Sequence, residues 1–205
     1  MAAAGKVITG YSLPYVAKYS ATGGTVTYSE GMRLARGVSV SISPEVGDAN
    51  PFYADNVEAE TVPGTFTGGT ADLVVDGLLN EAESFIYGLP EPESLSYGKS
   101  KTVDVYAYGE GIQIPYVGVG FIIRYMSDGV TTYCPMVLTK ARFQTPNTEA
   151  NTQEESIEWQ TQTLTVDLMR DDSAARNWKK FAEDQATEAE AEEVLKAMLN
   201  ITEGA

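Results

Sequence analysis

Few residues of this chain have the types and spacing that catalysis requires. Histidine is absent, and the single cysteine, Cys134, stands in an apparent strand. Without histidine, the chain lacks the side chain most used for general acid–base catalysis near neutral pH, for activating serine or cysteine nucleophiles and for binding zinc. One cysteine allows neither an intrachain disulfide nor a multi-cysteine metal site, so we expect Cys134 to be a small buried apolar residue.

Carboxylates are the remaining candidates for chemistry. The pairs Glu154–Glu155 and Asp171–Asp172 are more typical of solvated turns than of the paired acids of a glycosidase, and Asp48 and Asp55 do not fit the spacing of a calcium loop. No GxxxxGK[ST] phosphate loop occurs, and Gly118-Val-Gly120 lacks the third glycine of a dinucleotide fingerprint. The sequence therefore predicts no enzyme, no catalytic or metal-binding residue and no cofactor. A pocket with two close carboxylates would reopen the question.

The net charge of −15 is unevenly distributed. Between Gly37 and Gly98 there are eleven carboxylates and no Lys or Arg. The ten Lys and Arg before position 171 are scattered among twenty Asp and Glu, so they form no cluster that would follow a phosphate backbone. The acidic region is either a solubilising surface or one that must not adhere to nucleic acid, and the sequence leaves both possibilities open.

The chain shows no signal for a membrane or for export. Its start has no basic segment followed by an apolar run, and the longest apolar stretch, residues 116–123, is too short to span a bilayer as a helix. We expect a soluble protein made in the cytosol.

The first third of the chain has β patterns. Two Tyr/Val-rich runs in residues 13–29 flank Ala-Thr-Gly-Gly, which predicts a hairpin. Residues 32–43 predict a strand with a dry face and a wet face. Residues 44–64, between Pro44 and Pro63, form an acidic stretch too long for an ordinary hairpin connection, which predicts a functional or loosely ordered loop. The dry face of the strand contains Val38, Val40 and Ile42, and its wet face contains Ser39, Ser41 and Ser43.

The middle of the chain predicts a strand, a helix and three more strands. Residues 65–78 read as a strand interrupted at Gly68 and Gly69, and a helix near 77–88 follows, with Gly88 placed to end it. The Asp128-Gly129 turn predicts a hairpin. The helical stripe consists of Leu78, Leu79, Ala82, Phe85 and Ile86, and the three strands are 101–109, 114–126 and 130–144, the second of them central because both its faces are apolar or small.

The last third begins with a strand pattern whose apolar face changes. In residues 155–168, Ile157 and Trp159 occupy odd positions, whereas Leu164, Val166 and Leu168 occupy even ones. At about 3.3 Å per residue such a strand would reach roughly 46 Å and could serve two surfaces through a bulge at its polar middle.

A helix near 188–199 is predicted by the capping box at Thr187 and Glu190 and by an apolar stripe at Ala191, Val194, Leu195 and Met198, which we expect to pack on the body of the subunit. We divide the chain into a β domain, 1–172, and a C-terminal extension, 173–205.

Three stretches in this order resemble the major tail protein, or tail tube protein, of long-tailed siphovirus-type phages of Gram-positive hosts. They are PFYADNVEAET (51–61), IPYVGVGFI (114–122) and ESIEWQTQTLTVDLMRDD (155–172). The resemblance covers roughly residues 32–172, and the segment from Asn177 to Glu193 is similar to the ending of many members. No stretch is a catalytic signature, and the combined pattern makes the case.

The resemblance implies a mainly β (α+β) fold, a β-sandwich or barrel-like core with a flanking helix and a C-terminal helix. It also implies a structural virion protein, made in the host cytoplasm and located in the tail. Six copies would form a ring with a β-barrel lumen, and rings would stack into a tube. The implied partners are other copies of the chain, a tape measure protein in the lumen, and tail terminator and distal tail proteins at the ends. Genomic DNA would pass during ejection without specific binding.

Geometry is compatible with an assembled conduit. A ring of about 24 strands at roughly 4.8 Å spacing and about 40° tilt has a backbone diameter of about 48 Å, leaving about 35 Å inside the side chains for a duplex about 20 Å wide. Edge strands would pair with neighbours around the ring. We predict a wall built from Val38–Ser43, Thr65–Val75 and the two longest C-terminal strands, and a subunit or ring-to-ring contact in Tyr53–Glu60.

Other functions stay open at this point. A tail terminator or head-to-tail completion ring is the nearest alternative, since related folds form those rings as well. Twelve Tyr and two Trp also suggest a carbohydrate-binding β-sandwich module, although aromatic residues more often pack cores and interfaces. Trp159 and Trp178 exposed in one groove would favour binding, whereas a buried Trp159 would favour a structural role.

Overall fold

The computed structural model describes residues 5–152 and 159–202, and in them the chain is mainly β with antiparallel pairing, as predicted. The elements in chain order are β1 (Val7–Thr22), β2 (Thr25–Arg33), β3 (Gly37–Val46), β4 (Asn50–Ala54), β5 (Val57–Val62), β6 (Phe66–Val75), α1 (Asn80–Tyr87), β7 (Glu93–Tyr97), β8 (Lys101–Val105), β9 (Val117–Ser127), β10 (Val130–Phe143), β11 (Gln162–Met169), β12 (Lys179–Phe181) and α2 (Glu188–Met198).

One 8-stranded sheet dominates the molecule. Its strand order is β2-β1-β9-β10-β11-β6-β3, with β12 beside β10. β4 pairs with β5, and β7 pairs with β8, so these two hairpins stand apart from the main sheet. Among the described strands, β2 and β3 do not pair with each other, so the sheet is open, and of the expected sandwich or barrel-like core the sandwich-like form is the one that fits.

The sheet nevertheless folds over on itself to give a β-sandwich-like core. The Leu34 amide donates to the Pro14 carbonyl at 2.8 Å, and the Tyr11 ring lies against Gly37. A Cβ atom at Gly37 would lie 2.3 Å from Cε1 of Tyr11, so only glycine allows this approach. The shared core includes Val16, Val119, Phe121, Leu73, Val75, Leu164, Val166 and Leu168, together with Ile86 and Tyr87 of α1.

Local signals set several element boundaries as predicted. The β1–β2 turn has Gly23 and Gly24 at φ 59° and 81°, and the β9–β10 turn has Asp128 and Gly129 at φ 49° and 78°. Two successive positive φ values are typical of the type I′ turn that suits a two-residue hairpin. In β6, Gly69 has φ 151°, and a Cβ there would lie 2.4 Å from the Ser43 carbonyl oxygen, which explains the glycine.

Both predicted helices are present with slightly shorter bounds. α1 ends at Gly88, whose φ of 64° is the left-handed conformation of a C-cap. Its buried stripe contains Ala82 and Ile86, but Leu79 is 75% exposed because it precedes the helix, so its predicted place in the stripe is wrong. α2 starts with the predicted capping box between Thr187 and Glu190.

Three predicted segments differ from the structure. The acidic stretch 44–64 is not an irregular loop, because the β4–β5 hairpin occupies most of it and turns at Asp55-Asn56, both at positive φ. The strand predicted for 101–109 ends at Val105 and pairs with β7, which the sequence did not indicate. Val38, predicted on a dry face, is 53% exposed beside a register shift in β3.

The predicted long strand at 155–168 is also wrong over its described part. β11 begins at Gln162, and residues 159–161 lie outside any strand. Leu164, Val166 and Leu168 are buried as predicted, but Trp159 is 89% exposed and faces no second core. The other member of the predicted second face, Ile157, lies outside the described residues.

Candidate assembly surfaces

The outer face of β3, β6 and β11 is polar and is not covered by any other described element. Strand register places three rows of side chains across it, since directly paired residues point to the same side of a sheet. The inward positions alternate with these and are apolar. The rows are Ser39–Val74–Thr163, Ser41–Asp72–Thr165 and Ser43–Thr70–Asp167. We call these nine residues the hydroxyl face.

The charges on the hydroxyl face are few and are engaged locally. The Thr165 hydroxyl donates to Asp72 Oδ1 at 2.6 Å. At the border with β10, Asp167 Oδ2 lies 3.8 Å from a guanidinium nitrogen of Arg142, and Gln144 donates to Asp167 Oδ1 at 2.8 Å. No Lys or Arg belongs to the three rows themselves. This surface offers hydroxyls and carboxylates, with Arg142 at its border with β10.

The opposite outer face, on β1, β9 and β10, is covered by α2. Gly118 and Gly120 allow the helix to approach closely, because a Cβ at Gly120 would lie 2.7 Å from Leu195 Cδ1 and one at Gly118 would lie 3.0 Å from Leu199 Cδ2. Both glycines face outward in the part of β9, residues 117–123, that is buried throughout. The second apolar cluster consists of Tyr15, Ala17, Ile122, Val137, Ala191, Leu195 and Leu199.

Polar contacts fasten the C-terminal part of the chain over this covered face. The Tyr15 hydroxyl donates to Glu192 at 2.5 Å and thereby lowers the pKa of that carboxyl. Lys140 donates to Asp172 at 2.7 Å, and this bond, with one from Tyr19, lowers the pKa of Asp172. The segment predicted as an extension from residue 173 thus packs on the sheet through β12 and α2 over its described part.

The two margins of the sheet differ in what lies beside them. In the type I′ hairpin, Thr22 and Thr25 form a hydrogen-bonded pair. Pair types alternate along the ladder, so Tyr19 and Tyr28, three steps further on, form a non-hydrogen-bonded pair. The Tyr19 amide confirms this alternation, since it points to the other side of β1 and donates to the Tyr116 carbonyl at 2.9 Å. The Tyr28 carbonyl therefore faces away from β1, at the outer margin of β2.

Asn200 and Ile201, which follow α2, occupy that margin. The Asn200 side-chain amide donates to the Tyr28 carbonyl at 3.1 Å, and Ile201 packs over Gly31, where a Cβ would lie 2.2 Å from its Cγ1. At the other margin, β3 pairs with β6 on one side, and no described strand pairs with its other side. An open strand edge of this kind can accept a strand from another chain.

Two exposed hairpins project from the sheet. All residues of β4 and β5 are exposed, including Phe52 and Tyr53 at 62% each, so the predicted contact segment Tyr53–Glu60 lies on an accessible hairpin. All residues of β7 and β8 are exposed as well. Exposed apolar side chains at this density are typical of association surfaces.

The residues considered for catalysis or metal binding do not come together in one site. Cys134 is 2% exposed, and burial raises its pKa to about 11, so the thiol stays protonated near neutral pH. Asp76 and Glu83 line an open cavity of about 570 Å³, but Asp76 pairs with Arg36 at 2.6 Å and Glu83 accepts from Tyr108 at 2.6 Å. In the described residues, no group of three His, Cys, Asp or Glu could hold a metal ion.

The tryptophans do not share a groove. Trp159 is exposed, whereas Trp178 stacks on Phe66 with ring centroids 4.8 Å apart. Of the predicted wall strands, Val38–Ser43, Thr65–Val75 and the β11 part of 155–168 meet on the hydroxyl face. Segment 130–144 reaches this face only at the Arg142 end of β10, because the rest of its outer side is covered.

No family model matches this chain, and no curated protein is significantly similar to it in sequence. None of the described helices has the length and apolar character needed to cross a membrane.

Proposed function

We propose that this chain is a structural subunit of a phage tail tube. Six copies would form a ring, and stacked rings would form a hollow, negatively charged conduit for DNA ejection. The observation that supports this most directly is the hydroxyl face, an uncovered polar sheet surface that ends at the open margin of β3. A sheet with one face wet and an unpaired margin is suited to continue into a neighbouring copy.

The composition of the hydroxyl face suits a surface past which DNA slides. Hydroxyls and carboxylates offer a phosphate backbone no fixed positive charge, and Arg142 at the border is already engaged by Asp167. Affinity for DNA would hinder its passage. The acidic hairpin β4–β5 and the absence of Lys and Arg from residues 37–98 extend this repulsion beyond the face.

In this proposal the protein belongs to the virion tail after synthesis in the host cytoplasm. A tape measure protein would occupy the lumen during assembly, and terminator and distal tail proteins would bind the tube ends. The chain would have no catalytic role.

Negative-stain microscopy of the concentrated protein tests the proposal. We expect hollow tubes with a uniform bore. Single rings that do not stack would instead indicate a terminator or head-to-tail completion protein. Particles that remain monomeric at all concentrations would reject the tube.

Removal of the β4–β5 hairpin tests its part in assembly. Val46 and Phe66 are paired in the main sheet, so a two-residue Asn-Gly turn can join them in place of the hairpin. We expect a folded chain that forms no tubes, because the segment Tyr53–Glu60 is lost. Normal tubes from this variant would reject its role in contact.

Because Trp159 is exposed, a carbohydrate-binding module is the second candidate function. Exposed aromatic rings can stack on sugar faces, but Trp159 has no second tryptophan beside it in the described chain. Trp159→Ala should abolish glycan binding if this function holds, whereas the tube proposal expects no glycan binding by either protein.

A further inference from the structure

The β7–β8 hairpin has one apolar face that its own chain leaves uncovered. Register places Leu95 opposite Val103, Tyr97 opposite Lys101 and Glu93 opposite Val105 on the same side. Leu95 is 55% and Tyr97 is 52% exposed. The other side holds serine, threonine and aspartate, namely Ser94, Ser96, Thr102 and Asp104. A two-sided hairpin of this kind has a surface suited to another protein surface.

The tip of this hairpin is basic. Lys99 lies in the turn and Lys101 begins β8, and they are the first cations after the acidic region that ends at Gly98. Both are exposed, and neither takes part in an ion pair among the described residues. Two lysines followed by Asp104 are too few to follow a nucleic acid backbone, so we favour a protein partner.

The β4–β5 hairpin has the complementary properties. It presents Asp55, Glu58 and Glu60 without any Lys or Arg, and these carboxylates form no ion pair in the described chain. It also exposes Phe52 at 62% and Val57 at 66%. Each hairpin therefore combines uncovered apolar side chains with charges that form no ion pair in the described chain, and the lysines at the tip of β7–β8 are opposite in sign to the carboxylates of β4–β5.

We propose that the β7–β8 hairpin of one copy docks on the β4–β5 hairpin of a second copy, with Lys99 and Lys101 facing Asp55, Glu58 and Glu60. This inference rests on the proposed function and specifies one of its subunit contacts. The two surfaces lie on different parts of the same chain. When each copy uses them on two different neighbours, as around a ring or along a tube, the contact is heterologous and repeats from copy to copy. Apolar burial supplies affinity, and the opposite charges select the register and the partner.

Charge reversal on each side tests the contact. One variant has Lys99→Glu with Lys101→Glu, and the other has Glu58→Lys with Glu60→Lys. All four side chains are exposed, and every residue of the four hairpin strands is exposed as well, so circular dichroism and thermal unfolding should match the wild type. Alone, each variant places like charges opposite one another, and its critical concentration for assembly at low salt should rise at least about tenfold.

The mixture of the two variants gives the deciding measurement. The acidic β7–β8 hairpin of the first variant is complementary to the basic β4–β5 hairpin of the second variant, and the two unchanged hairpins are complementary to each other. When the two variants alternate, every contact therefore joins opposite charges. An equimolar mixture should assemble near the wild-type concentration. Arg176→Glu with Lys180→Glu is the matched control, since it makes the same charge change at exposed residues elsewhere. We expect this control to assemble like the wild type.

The outcomes separate this inference from the proposed function. Wild-type tubes together with unimpaired assembly of either single variant would overturn the contact and leave the tube proposal intact. Failure of the mixture to recover would also overturn it, as would an equal loss in the control, which would show an effect of net charge. A wild-type protein that forms neither rings nor tubes would reject the proposed function itself.

Discussion

The two outer faces of the folded-over sheet are built from similar strands but have opposite surfaces. On β1, β9 and β10 the outward positions are apolar or are glycine, as at Ile122, Gly118 and Gly120, and α2 lies on them. On β3, β6 and β11 the outward positions are mainly Ser, Thr and Asp, and no described helix or strand lies on them. The comparison shows that the hydroxyl face is a solvent-exposed surface and not a core face that lacks its covering helix, because its residues are of the types that proteins expose to water.

The largest effect should come from the covered face. Leu195→Ala removes a fully buried side chain between α2 and the sheet, so we expect the free energy of unfolding to fall by about 2–4 kcal/mol. Ser41→Ala on the hydroxyl face is the matched change, and we expect it to stay within about 0.5 kcal/mol of the wild type. Urea denaturation of both variants measures the difference. Equal losses would contradict the contrast between the faces.

The second-largest effect should be a loss of stability in acid, through Glu192 on the covered face. The pKa of Glu192 is lowered in the folded state, so the stability that this carboxylate contributes is present above its ordinary pKa and is lost as pH falls from there through the lowered pKa. We expect Glu192→Gln to lose less stability than the wild type between pH 6 and pH 3.5. Glu193→Gln, an exposed position on the same helix, should behave like the wild type in the same urea titration.

A smaller effect is expected at the margin of β2. Asn200→Ala removes the donor to the Tyr28 carbonyl, and an exposed hydrogen bond of this kind contributes about 0.5–1.5 kcal/mol. Asn200→Asp keeps the size of the side chain but has no amide donor, so it should show a similar loss. Hydrogen exchange should quicken in the last turn of α2. A variant as stable as the wild type would show that the contact adds nothing.

The smallest change in stability should come from Lys on the hydroxyl face, although its functional effect is specific. Ser41→Lys should unfold within about 0.5 kcal/mol of the wild type, because position 41 is exposed. In the tube, Lys at position 39, 41 or 43 would attract phosphate and slow DNA ejection at low salt, with recovery at high salt. Ser41→Asn is the neutral control. Unchanged ejection kinetics for several such variants would count against a lumen role.

The sequence predicted the elements whose signals are local. The Asp128-Gly129 turn, the Thr187 capping box and the αL glycine at Gly88 each act within a few residues, and the structure confirms all three. The alternation of Leu164 and Val166 identified β11 because one side of that strand is buried.

The errors arose where burial does not follow from local pattern. The β4–β5 and β7–β8 hairpins are exposed on both sides, so no buried face distinguishes them, even though residues alternate along β7 and β8. Trp159 was assigned to a second core because it is apolar, yet its exposure depends on tertiary contacts that the sequence does not state. The hydroxyl face was only partly predictable, since the serine row is visible in the sequence but its alignment with Thr163 and Thr165 requires strand order.

The contact between Asn200 and Tyr28 makes the two ends of the sheet unequal. A second chain that added a strand beside β2 would have to displace Asn200 and Ile201, whereas no described strand has to be displaced at the margin of β3. We therefore expect strand addition to be favoured at the β3 margin, because Asn200 and Ile201 already occupy the β2 margin.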